Sequence, residues 1–187
     1  MKTFLSLAAV AAACLAPAAR AADSLPAGTL ITGQVSGAST ALLGLDHLFA
    51  DEPGSNTTAL SAADLEFITA DAAVGLDFFA DGRLQVWNNT GNAALAGSYT
   101  FTFSFTGLAQ PLTAFAPLDV SQLNGGSFSL QLVSPSTVSL TLTNLSFTGE
   151  FGSFTAQVAS AVPEPTSLAL MAAGLGLVAL RRARRSA

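Results

Sequence analysis

Cations are scarce along most of this chain. The 187 residues contain seven Lys and Arg, and six of these (Lys2, Arg20, Arg181, Arg182, Arg184 and Arg185) lie near the termini, leaving Arg83 alone between residues 23 and 162. The same stretch holds eleven acids, Asp23, Asp46, Asp51, Glu52, Asp64, Glu66, Asp71, Asp77, Asp81, Asp119 and Glu150, for a formal charge near −10. A basic nucleic-acid-binding surface is thereby excluded. Cysteine is rarer still, with Cys14 the single instance, so the body has neither a disulfide nor a thiolate metal site and must be held by packing. His47 is the only histidine, the body has no Lys, and no Gly-x-Ser-x-Gly occurs. The usual nucleophiles and proton shuttles are nearly missing, and the reading is non-enzymatic.

The two ends read as addresses. Lys2 precedes an apolar run from Phe4 to Leu15, followed by Ala19-Arg20-Ala21 with small residues at the positions a signal peptidase reads. Residues 1–21 are therefore expected to be a secretory signal peptide. Ala11-Ala12-Ala13-Cys14 is a poor lipidation site, because Ala11 stands where a larger aliphatic residue is usual.

At the other end, residues 162–187 open with Val162-Pro163-Glu164-Pro165, continue through an apolar segment from Thr166 to Leu180, and close on Arg181, Arg182, Arg184 and Arg185. Fifteen helical residues rise roughly 22 Å against about 30 Å of hydrocarbon, a short transmembrane helix that snorkelling Arg side chains can complete. The Arg cluster belongs in the cytoplasm, which leaves the body outside. The prolines end any helix and present an extended strip to a processing enzyme. This tail closely resembles the PEP-CTERM sorting signal of Gram-negative bacteria: Pro163-Glu164-Pro165, a hydrophobic helix with Gly174 and Gly176, then a terminal Arg cluster. Such tails are also filed under an ice-binding-protein C-terminal heading. The resemblance implies recognition by exosortase, processing near Pro163 to Pro165, and an association with exopolysaccharide and biofilm. It covers none of residues 22–161.

That body reads as a single all-β domain, an antiparallel β-sandwich. Tyr99, Phe101, Phe103 and Phe105 alternate with Thr and Ser; so do Phe128, Leu130 and Leu132, and Val138, Leu140 and Leu142. Parity slips at Asn144, which predicts a bulge or turn. Phe154, Ala156 and Val158 form a last strand, and Thr29–Val35 and Thr40–Phe49 two early ones. Ser61-Ala62-Ala63-Asp64 has helix-cap spacing, which predicts a short helix over Ala62–Ile68. In the hairpin Val74–Asn88, a three-residue loop Ala80-Asp81-Gly82 pairs Phe78 with Leu84 and Leu76 with Val86. Asp77, Phe79, Arg83, Gln85 and Trp87 then share the outer face.

Several groups invite a chemical reading. Trp87 and Phe79 are candidates for a sugar-stacking platform, with burial under a loop or second sheet as the plainer alternative. Eight acids lie between Asp46 and Asp81. They read as a solvated surface, with glycoside hydrolysis and calcium binding as alternatives, although neither Asp77–Asp81–Gly82 nor Asp51-Glu52-Pro53-Gly54 forms a known loop motif. No metal site and no cofactor is assigned. Arg83 reads as a local charge partner of Asp77 and Asp81, and the Thr ladders Thr100/Thr102 and Thr141/Thr143 as ordinary outward strand positions. The sequence thus points to an exported envelope or matrix protein with signal peptidase, exosortase, the membrane and exopolysaccharide as partners. Carbohydrate-binding module is the second reading and glycoside hydrolase the third.

Overall fold

A computed structural model describes residues 25–161, together with 174 and 175, which are helical. The leader, Pro163-Glu164-Pro165, most of the apolar segment and the Arg cluster lie outside the described residues. Among the described residues no helix is long and apolar enough to cross a membrane.

Among the described residues eleven strands follow one another: β1 (Leu30–Gly37), β2 (Leu42–Gly44), β3 (Thr57–Ala59), β4 (Phe67–Thr69), β5 (Val74–Phe78), β6 (Arg83–Asn88), β7 (Ala94–Thr106), β8 (Leu112–Asp119), β9 (Leu123–Ser134), β10 (Thr137–Phe147) and β11 (Ser153–Ser160). They form two antiparallel sheets. Sheet A has the order β3-β1-β7-β10-β9, and sheet B the order β2-β4-β5-β6-β11-β8. Their inner faces meet in one apolar core, so the body is the expected all-β sandwich.

The alternating pattern builds that core directly. Tyr99, Phe101, Phe103 and Phe105 of β7 point inward at 0–3% exposure, and Val138, Leu140 and Leu142 of β10 lie beside them at 0–1%. Sheet B answers with Phe67, Leu76, Phe78, Leu84, Val86, Phe154 and Val158. Phe103 is the meeting point. Its ring centroid lies 5.0 Å from Phe78 in an edge-on contact and 5.9 Å from Phe67, while Phe101 stacks on it at 6.1 Å. Tyr99 adds a polar tie between sheets, its hydroxyl donating to Asp71 Oδ2 at 3.0 Å. Burial and the adjacent Asp71 carboxylate push the phenol up to about 12, so it stays a donor.

The hairpin has the expected register, with Leu76 opposite Val86 and Phe78 opposite Leu84. Gly82 at φ 87° occupies the left-handed position of the loop, and Phe79 N donates to Arg83 O. The parity slip is also present. Register shifts between Thr143 and Leu145, Asn144 sits at φ 45°, and its Oδ1 accepts from Gly97 N at 2.9 Å. The side chain thus holds the bulge that lets Leu145 and Phe147 return to the core.

Two early elements differ from expectation. The strand expected over Thr40–Phe49 stops after Gly44, where a 3₁₀ turn, Leu45–His47, begins. Leu48 and Phe49 then take positive φ, and Asp46 ties the turn to β3 by accepting from Ala59 N. No helix follows Ser61. Its Oγ does accept from Ala63 N and Asp64 N as a helix cap would. The chain then extends into β4, because Phe67 and Thr69 bury on the inner face while Glu66 turns its carboxylate onto Ser61 N and Phe78 N. Long-range pairing to β5 outweighs a cap signal worth about 1 kcal/mol.

Phe103→Ala should lower unfolding free energy by about 3–5 kcal/mol, because it removes the ring shared by both sheets. Denaturant titration measures this. A loss below about 1 kcal/mol would show that the core does not depend on that contact.

Candidate functional site

The outer face of sheet B carries most of the chemistry, arranged in rows across the strands. One row runs Ile68, Gly75, Trp87, Ser153 through β4, β5, β6 and β11. The next runs Asp77, Gln85, Thr155, with Glu66 opposite Asp77 where the chain enters β4. A third sets Arg83 beside Gln157.

In the first row Gly75 leaves a gap beside the indole of Trp87. Leu65, Ile68, Asn88, Asn89 and Phe151 close it into a cleft of about 320 Å³. Trp87 is 39% exposed and Phe151 56%. Phe151 also adopts φ 54°, a left-handed conformation that a bulky aromatic residue rarely takes. An aromatic ring is thus held at the surface on a strained backbone.

The second row sets a buried carboxyl group, Glu66, against a half-buried one, Asp77. Glu66 is 0% exposed; its Oε1 accepts from Ser61 N at 2.8 Å and its Oε2 from Phe78 N at 2.6 Å. Burial, opposed by those two hydrogen bonds and reinforced by Asp77, pushes its carboxyl up to about 8. Burial also raises Asp77, against the pull of its hydrogen bond to Glu66 and of the Arg83 charge. The pair therefore holds a proton at neutral pH.

In the third row the guanidinium of Arg83 lies over the ring of Phe79, 4.0 Å from its centroid. Arg83 Nε is buried without a hydrogen-bond partner. Both residues line a second cleft of about 370 Å³ with Leu60, Ser61, Ala80 and Asp81. Among the described residues Arg83 makes no ion pair with Asp77 or Asp81, where charge pairing was expected; its charge lowers Asp77 only from a distance, and its main contact is an aromatic face.

Trp87 and Phe79, proposed together as a platform, share the outer face but line separate clefts, their rows roughly 13 Å apart. The ring beside Trp87 in its cleft is Phe151, 64 positions away in sequence. Glu66 and Phe151 both escaped the sequence reading. The available signals were an acid embedded between Leu65 and Phe67, and a lone aromatic in the turn Gly149-Glu150-Phe151-Gly152.

The remaining acids are spread over local tasks. Asp81 accepts from Arg83 N, Asp71 from Ala73 N, and Asp119 from Ser121 N. His47 Nδ1 lies 2.6 Å from Glu52 Oε1, an exposed pair, and Asp46 beside it is occupied with β3. Among the described residues no group of three or more His, Cys, Asp or Glu converges as a metal site would require. On the outer face of sheet A, hydroxyls pair with each other: Thr100 with Thr141 at 3.3 Å and Ser98 with Thr143 at 3.4 Å.

Comparison with known proteins bears on the C-terminus. Residues 161–185 match the PEP-CTERM protein-sorting motif. This sorting motif supports an exported, exosortase-sorted protein and implies the envelope or surface of a Gram-negative bacterium as its address. No curated protein and no solved structure matches the chain. The PEP-CTERM motif leaves the sandwich itself unassigned.

The carboxyl pair sets a pH dependence of stability. Glu66 keeps its proton when folded up to about pH 8 but loses it near 4.5 when unfolded. Between those values the native state binds more protons, so stability is fully present below about pH 4.5 and declines as pH rises to about 8. The loss should be on the order of 5 kcal/mol. Glu66→Gln should lower stability at acidic pH, since an amide cannot accept both backbone bonds, and flatten the slope over that window. Thermal melts at pH 5 and pH 8 test this; an unchanged slope in Glu66→Gln would assign the dependence elsewhere.

Proposed function

We propose that this protein is a non-enzymatic structural or adhesive component of an exopolysaccharide-linked surface matrix. On this reading signal peptidase removes residues 1–21, the apolar segment from Thr166 to Leu180 holds the chain in the membrane with Arg181, Arg182, Arg184 and Arg185 inside, and exosortase acts near Pro163, Glu164 and Pro165. The observation that carries it is the sorting motif joined to β11, a strand that is internal to its sheet, with β6 on one side and β8 on the other. Tension at the tail would meet a strand hydrogen-bonded along both sides rather than an edge that peels. An acidic body without cysteine, with hydroxyls on one face, also suits a hydrated, oxidising exterior.

Intact-mass analysis of protein from exosortase-positive cells should find a species lacking Leu168 to Ala187. A mature protein that still carries that segment would remove the sorting basis of this reading.

A second reading, a carbohydrate-binding module, is favoured by the Trp87–Phe151 cleft. Two exposed rings share that cleft, an arrangement that can stack a sugar ring, while the buried Asn88 amide is held by Thr90 and Asn92 and Asn89 Nδ2 donates to Ala72 O, which fixes the floor beneath them. Trp87→Ala and Phe151→Ala should each reduce retention on the producer's exopolysaccharide at least tenfold, while Phe79→Ala, in the separate cleft, should change it less than twofold. Failure of the wild-type protein to bind any matrix polysaccharide would end that reading and leave the structural one standing. Glycoside hydrolysis is the third reading; release of sugar from native exopolysaccharide, abolished by Asp77→Asn, would be its signature.

A further inference from the structure

We propose that two copies of this protein associate edge to edge, β9 of one adding antiparallel to β9 of the other so that sheet A continues across a twofold axis. Two open sheets have four edges, and three of them here are protected against such pairing. β2 and β3 are three residues each, too short to template a partner. β8 carries Pro117, which lacks an N–H, ends on Asp119, and has irregular register against β11. β9 has none of these defences along its centre. Its twelve residues, LNGGSFSLQLVS, include no proline and no charge. Its ladder with β10 runs without interruption from Ser127 to Leu132, and no strand of the described residues pairs with its other side.

Charge selects a second copy as the occupant. The eight acids between Asp46 and Asp81 belong to the segments that form or flank β2 to β6, away from β9 in the sandwich. By contrast, residues 120–149 contain no ionisable side chain. Copies approaching through the acidic segments repel one another; copies approaching through β9 do not. A neutral edge is self-complementary about a twofold axis. Phe128 and Leu130 face inward and Ser127, Ser129 and Gln131 outward, so faces match only if the axis passes through a residue. Centring on Leu130 sets Phe128 against the partner's Leu132 and Ser129 against the partner's Gln131. Leu132 and Val133, now 37% and 59% exposed, would then lie at the junction.

The test uses the full chain in mild detergent. With Cys14→Ser as background, Ser129→Cys treated with a short bismaleimide should yield at least five times as much covalent dimer as Ala62→Cys on the acidic side. In the natural sequence, Ser129→Lys places cations near each other across the axis at an exposed position. It should weaken dimerisation at least tenfold by sedimentation while leaving the thermal transition unchanged. Equal cross-linking at both positions, a dimer indifferent to Ser129→Lys, a monomeric wild-type chain, or cross-linking of Ser129→Cys to a different protein would each overturn the proposal. Tail processing, followed by mass in the same samples, is independent of all four outcomes, so loss of the pairing would not be mistaken for loss of the sorting role.

Discussion

The sandwich depends on one row of aromatic rings. With no cysteine after Cys14, no disulfide cross-links the two sheets of the body, and packing must hold them together. Tyr99, Phe101, Phe103 and Phe105 form a continuous inward face on β7, which lies between β1 and β10 in sheet A. Phe78 meets both Phe103 and Phe105 edge-on, at 5.0 and 5.5 Å. Edge-on contacts match the positive rim of one ring with the negative face of another and add about 0.5–1.5 kcal/mol each beyond area burial. The Tyr99–Asp71 hydrogen bond ties the end of that row to sheet B. Because this row fixes the inner faces, every alternate residue is obliged to face outward, and the outer faces acquire their rows of hydroxyls, carboxyls and aromatic rings as a geometric consequence.

Most of the architecture was legible because it is periodic. The alternations in β7, β10 and β11 name their inward residues unambiguously, and the hairpin register follows from requiring Val74, Leu76, Phe78, Leu84 and Val86 to share a face. The bulge at Asn144 announced itself as a change of parity. The region between Thr40 and Ile68 was not legible, because distant partners decide it. Ser61 makes its cap bonds in a chain that then becomes a strand, and Asp46 ends β2 by binding β3. The candidate site suffered more from the same cause. Placing Trp87 with Phe79 used proximity in sequence, whereas sheet order brings Phe151 to Trp87 through β11. Glu66 looked like one acid among eight until burial separated it from the rest.

The acids illustrate how composition and role diverge. A formal charge near −10 suggests a diffuse repulsive surface, yet Asp46, Asp71 and Asp81 each accept a backbone N–H at a turn. Glu66 accepts two and carries its proton, so it contributes little of that charge at neutral pH. An apolar side chain in its place would leave the Ser61 and Phe78 amides without acceptors, at roughly 1–3 kcal/mol per buried donor. The protonated carboxyl is thus a compromise. It satisfies two buried amides and avoids a full negative charge beside Asp77.

Position along the chain then organises the outside of the molecule. Charged groups are concentrated in the segments forming β2 to β6, and the long strands β7, β9 and β10 have none. The charged part keeps copies soluble by repulsion, whereas the neutral part is unprotected by charge. Between them β11 carries the chain out toward the sorting motif, with Ala161 N still bonded to Pro111 O where the last strand ends. A tail attached to an edge strand could be stripped one hydrogen bond at a time. β11 instead is held by ladders to β6 and β8 and by Phe154, Ala156 and Val158 in the core, so pulling that strand out means opening the sandwich.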